Sequence, residues 1–490
     1  MELIRNELMA ERVVYSGVAQ AMVEGEIPQI EDRIAGDILS ATGDVLLMES
    51  AITENAVQLS GRVSVQLICA GENGPFAFTS RADFTHNMPA QGAMPGMLAE
   101  AAPMLQALEV TLTDGRIRMG AVVDIALQVL DSTPLQTFGG IRGAQELELL
   151  TDRFTAAKRE TVFHDVLRLR EEVDAAGAAA VLQSDVTVAL RELRRDGRGV
   201  ELNGILTVSA LVEDKEGRLF QLTQNLPLNE TLDVFAASDA DLHARAQVLQ
   251  ADVQASQEFG MLVADLRLAV SLFARSQSEL ILPQDAFSPA LPFTCEQEAV
   301  QLCSYGGEST LRHAISETVS VPNGLPEINR VIYAAARPVV TGGVPQDGQL
   351  YAEGLLITRV LYESDTGALH AFTEDIPFHA GLPAGQDSTH ALLWASATAS
   401  AAGSGRAAEV RFSLNLHASL YAFAARKVVT GISQCAGAEV PEGIIVYFAG
   451  AGETLYDVAK RFCIPREKLR AAQPGLQETL EEGQKLVFLR

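Results

Sequence analysis

The sequence predicts a mainly β protein, with three repeated β-sandwich-like or open-barrel domains followed by a small domain in strand–helix–helix–strand order. Three observations support this fold class. Apolar and polar residues alternate along many short segments, as they do in half-buried strands. Polar turns that contain glycine separate these segments. One glycine–strand–turn–strand pattern occurs three times, at an interval that suits whole domains rather than a solenoid.

The first domain shows the hairpin pattern most clearly. Residues 63–68 alternate in polarity, a polar turn ends at Gly74, and residues 76–84 then form a second strand-like segment. Further along, Asp114 and Gly115 join two more apolar segments, and this dipeptide strongly favours a tight hairpin turn. The segment therefore predicts at least two antiparallel hairpins.

The repeated pattern begins at a strand glycine, which recurs after 143 and then 150 residues as Gly61, Gly204 and Gly354. We predict repeat domains over residues 1–135, 156–276 and 295–427, and the second is the most divergent. Segments rich in glycine, proline or polar residues predict connectors between the domains, at 139–155, 282–293 and 431–442. Within the second repeat, residues 236–255 are compatible with a crossing helix.

Residues 443–490 form a complete small pattern of their own. A strand is predicted at 444–448, and a capping box of Thr454 and Asp457 begins the first helix. One apolar face of this helix is formed by Leu455, Val458, Ala459 and Phe462. Pro465 begins a second helix, which ends before Pro474 and Gly475, and residues 486–489 close the domain as a strand.

Composition disfavours several classes of partner and favours a reducing compartment. The 490-residue chain has a net charge of −26, which disfavours binding to nucleic-acid phosphates and to anionic membranes. Its five cysteines are scattered and form no Cys-x-x-Cys pair, so we expect a reducing compartment without disulfides. The N-terminus lacks an apolar signal region and no segment is long enough to span a membrane, so we expect a cytoplasmic protein.

Residue patterns for catalysis are missing from the sequence. No two of the eight histidines have helical metal-site spacing, and neither a phosphate-binding loop nor a nucleophile elbow is present. His370 and His379 are interpreted as solvated strand positions and Trp394 as core packing. We therefore expect no catalytic residues, no metal site and no cofactor.

The last segment resembles a LysM domain over its whole length. The resemblance is carried by the turn Gly452, Glu453, Thr454 and Leu455 and by the turn Gln473, Pro474, Gly475 and Leu476, with residues 457–459 and 483–486. LysM domains bind N-acetylglucosamine-containing glycans, above all peptidoglycan, in a shallow groove between these turns. The resemblance therefore implies that these eight residues line a ligand groove, with Leu455 at its edge. Glu453 and Gln473 stand where LysM domains usually have Asp and Asn. Because of this difference, a protein is kept as the alternative to a glycan as the ligand of the groove.

The repeats resemble SPOCS domains of endospore-forming bacteria. Residues 1–14, 20–28 and 38–45 carry this resemblance together with the strand at 360–362. SPOCS-like units with a C-terminal LysM domain are similar in arrangement to SipL-like spore-envelope assembly proteins. The resemblance implies a non-enzymatic scaffold in the mother-cell cytoplasm, at the forespore surface or in the spore coat. Its partners would be a glycan or a spore-coat protein at the LysM end and other proteins at the repeats.

Two other functions remain possible at this stage. A general peptidoglycan-binding protein of the cell wall would use the same LysM-like groove, but it would need export. A wall hydrolase with a LysM anchor would need an acid–base pair or a nucleophile, and the sequence offers neither in a coherent arrangement.

Overall fold

We describe the fold from a computed structural model over residues 2–28, 36–71, 74–144, 146–175, 177–196, 199–234, 241–256, 260–435 and 443–490. These residues form 22 strands and two short helices, which confirms the prediction of a mainly β fold. No helix in these ranges has the length and apolar character needed to cross a membrane.

The chain contains three units of the same topology, each with six strands in two three-stranded antiparallel sheets. In one sheet the last strand lies between the first and the fifth, and the other sheet contains the second, third and fourth in order. Unit 1 contains β2 (Glu11–Ile27), β3 (Asp37–Thr53), β4 (Ala56–Gly71), β5 (Gly74–Pro89), β6 (Leu98–Thr113) and β7 (Arg116–Asp131). Short strands β1 (Leu3–Leu8) and β8 (Leu135–Ile141) flank it.

The two later units repeat this order. Unit 2 contains β9 (Glu148–Asp174), β10 (Ala178–Asp196), β11 (Gly199–Asp214), β12 (Leu219–Leu232), β13 (Asp241–Ser256) and β14 (Met261–Phe287). Unit 3 contains β15 (Phe293–Ser320), β16 (Ile328–Gln346), β17 (Gln349–Ser364), β18 (Leu369–Pro383), β19 (His390–Ser404) and β20 (Ala407–Gln434). Each pair of sheets encloses one apolar core, so each unit is sandwich-like.

The repeated glycine lies at the same place in each unit. Gly61, Gly204 and Gly354 are each the sixth residue of a 16-residue third strand. The neighbouring second strand has a register shift beside each of them. A Cβ atom at any of the three would lie within 3.0 Å of a carbonyl oxygen of that strand. The irregular ladder therefore requires glycine, which explains the sequence pattern.

The units meet in a stem made of three two-stranded ribbons. One ribbon is β1 with β8, one pairs residues 148–157 of β9 with 277–287 of β14, and one pairs 293–302 of β15 with 424–434 of β20. The ribbons share an apolar core formed by Ala10, Leu135, Ala156, Leu280, Leu282, Val300, Leu302 and Val428. In addition, β2 pairs briefly with β15, which joins sheets of units 1 and 3 into one six-stranded sheet.

Two expectations about local structure are wrong. The predicted connectors at 139–155, 282–293 and 431–442 are for the most part ribbon strands of the stem, and their described residues between strands are 142–144, 146–147, 288–292 and 435. Pro283 is tolerated because the ladder shifts register beside it. The helix expected at 236–255 is strand β13 over its described part, because pairing with β14 along almost its whole length overrides the helical propensity of its Ala, Gln and Leu residues.

The C-terminal module has the predicted strand–helix–helix–strand order. It consists of β21 (Ile444–Phe448), α1 (Leu455–Phe462), α2 (Arg466–Ala472) and β22 (Lys485–Leu489). Pro465 is the N-cap of α2 rather than its first helical residue. The module packs on the end of the stem, where the ring of Phe287 meets Tyr456 edge-on at 5.4 Å. Arg466 completes this contact with an ion pair to Glu148, whose Oε2 lies 2.7 Å from the arginine Nε.

Candidate functional site

The first turn of the candidate groove is held by its own hydrogen bonds. Thr454 caps α1, since its hydroxyl accepts from the amide of Asp457 at 3.2 Å while its own amide donates to the Asp457 carboxylate at 2.8 Å. Leu455, expected at the groove edge, is fully buried in the module core. It is the first residue of α1 and lies on the apolar face of that helix. Gly452 is exposed and has a φ of +74°, which suits glycine.

Glu453 is directed inward rather than toward a ligand. Its carboxylate accepts from the Tyr447 hydroxyl at 2.9 Å and from the Gly450 amide at 2.9 Å. Arg461 adds an ion pair at 3.0 Å, and the Glu453 side chain is only 10% exposed. The extra methylene relative to aspartate therefore lets this side chain brace the turn from within.

Gln473, at the second turn, completes the edge of the small sheet. Its Nε2 donates to the carbonyl of Lys485 at 3.2 Å, and its Oε1 accepts from the amide of Val487 at 3.2 Å. One side-chain amide thus satisfies the outer edge of β22 as a neighbouring strand residue would. Pro474 and Gly475 follow as exposed residues, and Leu476 is half-buried against the module core.

The structure links the first turn to the segment that follows the second. The Leu455 amide donates to the carbonyl of Glu478 at 2.8 Å, and the Leu480 amide donates to the carbonyl of Glu453 at 3.0 Å. Of the eight candidate residues, Gly452, Pro474 and Gly475 are the most exposed. The surface available at the two turns is therefore mainly backbone and small residues, while the polar side chains are engaged within the module.

The histidines noted in the sequence do not form a site. On β18, His370 lies beside Tyr362, whereas His379 stacks on Tyr351 and pairs with Glu353 at 3.2 Å. Among the described residues no group of three or more His, Cys, Asp or Glu side chains is arranged to hold a metal ion. All five cysteines are free thiols, and burial raises the pKa of Cys69 to about 11.

The structure also contains a buried charged cluster that the sequence interpretation missed. It brings together Glu100 of unit 1, Arg159 and Arg245 of unit 2, and Glu308 and His417 of unit 3. Arg159 pairs with Glu100, and Arg245 lies 3.2 Å from Glu308 Oε1. His417 Nε2 lies 2.5 Å from the other Glu308 oxygen. We call this group the junction cluster, because its members come from all three units.

Aromatic rings enclose the junction cluster. The Arg245 guanidinium lies 4.3 Å from the ring centroid of Trp394, and Arg159 lies 4.6 Å from that of Phe273. The half-buried ring of Trp394 therefore packs against a cation. This is close to the core-packing role expected from the sequence. Charged residues that interrupt otherwise apolar strands were the only sequence signal for the cluster, and that signal does not identify partners.

The charges and hydrogen bonds of the junction cluster determine the pKa of Glu308. Burial alone would raise the pKa of this carboxyl group, but the Arg245 charge and hydrogen bonds from His417 and Ser419 outweigh it and lower the pKa to about 2. The hydroxyl of Tyr305 donates a further bond to Glu308 at 2.8 Å. A carboxylate so fully paired is suited to holding units together rather than to exchanging protons.

A cleft of about 680 Å³ lies between the three units. Its wall carries Asp44 of unit 1, Asp185 of unit 2, and Arg337 and Arg359 of unit 3. Arg359 bridges to unit 1 by donating to the Leu39 carbonyl at 2.7 Å. Burial, together with repulsion from Asp44, raises the pKa of Asp185 to about 7.

Comparisons of the chain with protein-family models, curated proteins and solved structures found no match.

Proposed function

We propose that the protein is a non-enzymatic scaffold of spore-envelope assembly, acting in the mother-cell cytoplasm, at the forespore surface or in the spore coat. Its C-terminal module docks the scaffold to a peptidoglycan-type glycan or to a coat protein, and its three units bind other proteins. The proposal is supported by the SPOCS-like pattern of the units and the LysM-like pattern of the module, which together cover nearly the whole chain.

One structural observation carries the scaffold part of this proposal. Three units of the same topology and the terminal module are joined through one stem and one junction cluster. Such a body holds several sheet surfaces in a fixed relation, which is what an assembly scaffold requires. The buried ionisable groups are consistent with this role, because Glu308, Arg245 and His417 pair with one another.

The test compares the full chain with a chain that ends before Gly443, both carrying an affinity tag, in a sporulating host. We expect the full chain to gather at the forespore and to recover coat proteins after cross-linking. The shorter chain should stay diffuse and recover fewer of them. Equal localisation and equal recovery would contradict docking through the module. A melting curve of the shorter chain controls for damage to the stem, where Phe287 loses its contact with the module.

A general peptidoglycan-binding protein of the cell wall is the second candidate. It is favoured by the exposure of Gly452, Pro474 and Gly475, whose small or absent side chains leave the two turns accessible to a glycan. Sedimentation of the full chain with purified peptidoglycan, with and without chitin oligomers as competitors, distinguishes a glycan ligand from a coat-protein ligand. Co-sedimentation that is lost when the oligomers are added favours a glycan. No co-sedimentation with peptidoglycan favours a coat protein.

A further inference from the structure

The outward face of the β21–β22 ribbon is an exposed apolar surface. Ile444 is 76% exposed, Val446 52% and Phe448 61%, and all three project from the same side of β21. Leu489, across the ribbon from Ile444, is 70% exposed. These side chains together form a patch of the order of 400 Å², a size that often marks a binding surface on a soluble protein.

The backbone of the same residues forms an open strand edge. Pairing with β22 uses the backbone groups of alternate residues, as the bonds from the Arg490 amide to Gly443 and from the Ala449 amide to Gln484 show. In an antiparallel ladder the intervening residues direct their amides and carbonyls to the opposite edge. On β21 these are Ile444, Val446 and Phe448, and β21 has no second neighbouring strand in the described part of the chain.

The other edge of this ribbon is closed. On β22 the Lys485 carbonyl and the Val487 amide are bonded to the side-chain amide of Gln473, which blocks the middle of this edge. The helical side of the module is closed as well, since Tyr456 and Arg466 pack against the stem. The module therefore offers one open strand edge, and the same three residues supply its free backbone groups and its apolar side chains.

We propose that β21 binds an extended segment of a partner protein as a third strand of this small sheet. The partner segment carries apolar residues at alternate positions, because only that spacing covers Ile444, Val446 and Phe448 while its backbone bonds to theirs. Lys485 lies opposite Phe448 on this face and favours an acidic residue in the segment. Residues 443–490 hold seven Lys and Arg against six Asp and Glu, although the whole chain is strongly acidic.

The size of the patch decides against a second copy of this chain as the occupant. A stable dimer buries about 800 Å² on each partner, roughly twice what this face offers. A single strand needs less area, because main-chain hydrogen bonds supply part of its binding energy. This inference rests on the proposed docking function and names the surface through which a protein partner is held, away from the two turns.

The experiment selects peptides from a phage-displayed random library on the immobilised full chain. We expect enriched peptides with apolar residues at alternate positions, and at least about tenfold weaker binding of these peptides to Val446→Pro. Proline at this position removes only an outward amide and leaves the β22 ladder bonded. Val446→Lys should weaken peptide binding to a similar extent, because it places a charge within the apolar face of β21.

The matched control is Val344→Lys, since Val344 is a 68% exposed valine on β16, an edge strand of unit 3. It should leave peptide binding unchanged, and melting curves should show all three variants folded. Selection that yields no alternating peptides, or peptides that bind Val446→Pro as well as the parent, would overturn the inference. A concentration-dependent dimer that Val446→Lys abolishes would assign the edge to a second copy and would also overturn it.

Failure of this inference can be distinguished from failure of the proposed docking function. If removal of residues 443–490 abolishes recovery of coat proteins but Val446→Pro does not, docking stands and the β21 edge is the wrong surface. If removal of the module has no effect, the docking function itself fails.

Discussion

At the scale of single residues, the LysM-like positions contribute to stability as well as offering a surface. Glu453 braces its turn, Thr454 caps a helix and Gln473 closes a strand edge. Substitution of these side chains would therefore change the fold and any binding together. Exposed Pro474 and Gly475 are better positions for testing the groove alone.

Phe462→Ala should destabilise the module by about 2 kcal/mol, less than the roughly 3–5 kcal/mol expected of a fully buried phenylalanine. The ring is half-buried and meets Tyr447 and Phe488 edge-on, each at 5.3 Å between ring centroids. Hydrogen exchange of the α1 amides in the full chain measures this loss. Protection equal to that of the parent would show that the aromatic contacts contribute nothing.

Asp185→Asn should stabilise the protein at high pH. The folded-state pKa of Asp185 is raised to about 7, so ionising it costs stability as pH rises from about 4 to about 7. Asparagine removes that cost, and we expect a gain of about 1–3 kcal/mol at pH 8 that shrinks toward pH 5. Unfolding curves at both pH values measure it. An equal gain at pH 5 and pH 8 would show that ionisation is not the cause.

At the scale of elements, the glycine at the strand irregularity makes a direct prediction. Gly354→Ala should destabilise unit 3 by about 2–4 kcal/mol, because the new Cβ would collide with the Val339 carbonyl and the Phe378 ring. Gly342→Ala, in the same unit, meets no atom within 4 Å and should be nearly neutral. Urea unfolding of both variants checks this contrast. Equal unfolding free energies of the two variants would mean that the β16–β17 ladder accommodates the new Cβ atom without loss of stability.

Sequence patterns predict those elements that are determined by residues close together in the chain. The Asp114–Gly115 turn has positive φ at both residues, as a tight hairpin requires, and the capping box at Thr454 begins α1 as expected. Local sequence does not predict strand β13, because this strand depends on pairing with β14. The ribbons of the stem escape prediction for the same reason, since ribbons such as β1 with β8 pair residues more than 120 positions apart.

The candidate site was predicted only in part. The two turns lie where the pattern indicates, but the inward bonds of Glu453 and Gln473 depend on Tyr447 and on β22. Sequence spacing does not specify such side-chain directions. The sequence does not predict the open edge of β21, because residues 444–448 are all apolar and the pattern does not show which of them the helices of the module cover.

At the scale of the whole molecule, the junction cluster should make the cohesion of the units depend on pH. Because the pKa of Glu308 is lowered to about 2 in the folded state, its contribution is complete above the unfolded value of about 4.5 and is lost as pH falls toward 2. Glu308→Gln should lower stability at pH 7 by about 3 kcal/mol, since it removes the carboxylate nearest to Arg245 and leaves that buried cation only Glu100, 4.0 Å away.

Unfolding curves of the parent and of Glu308→Gln between pH 3 and pH 7 measure this dependence. The difference in unfolding free energy between the two proteins should narrow below about pH 4.5, because the unfolded parent takes up a proton at Glu308 while the folded parent keeps this carboxylate ionised. Glu353, which is exposed and pairs with exposed His379, supplies the control, and Glu353→Gln should change stability by less than about 1 kcal/mol. A constant difference across this range would contradict an ionic role for Glu308.

The stem fixes where the polypeptide enters and leaves each unit. The first strand of every unit departs from the stem and the last strand returns to it, so the tight turns before those last strands lie at the far tips. Asp114–Gly115 is such a tip in unit 1, and Gly405–Arg406 is its counterpart in unit 3. A small spectroscopic label attached at either turn would lie far from the ribbons of the stem. Distances between labelled tips would then measure whether the three units change their relative positions when a ligand is added.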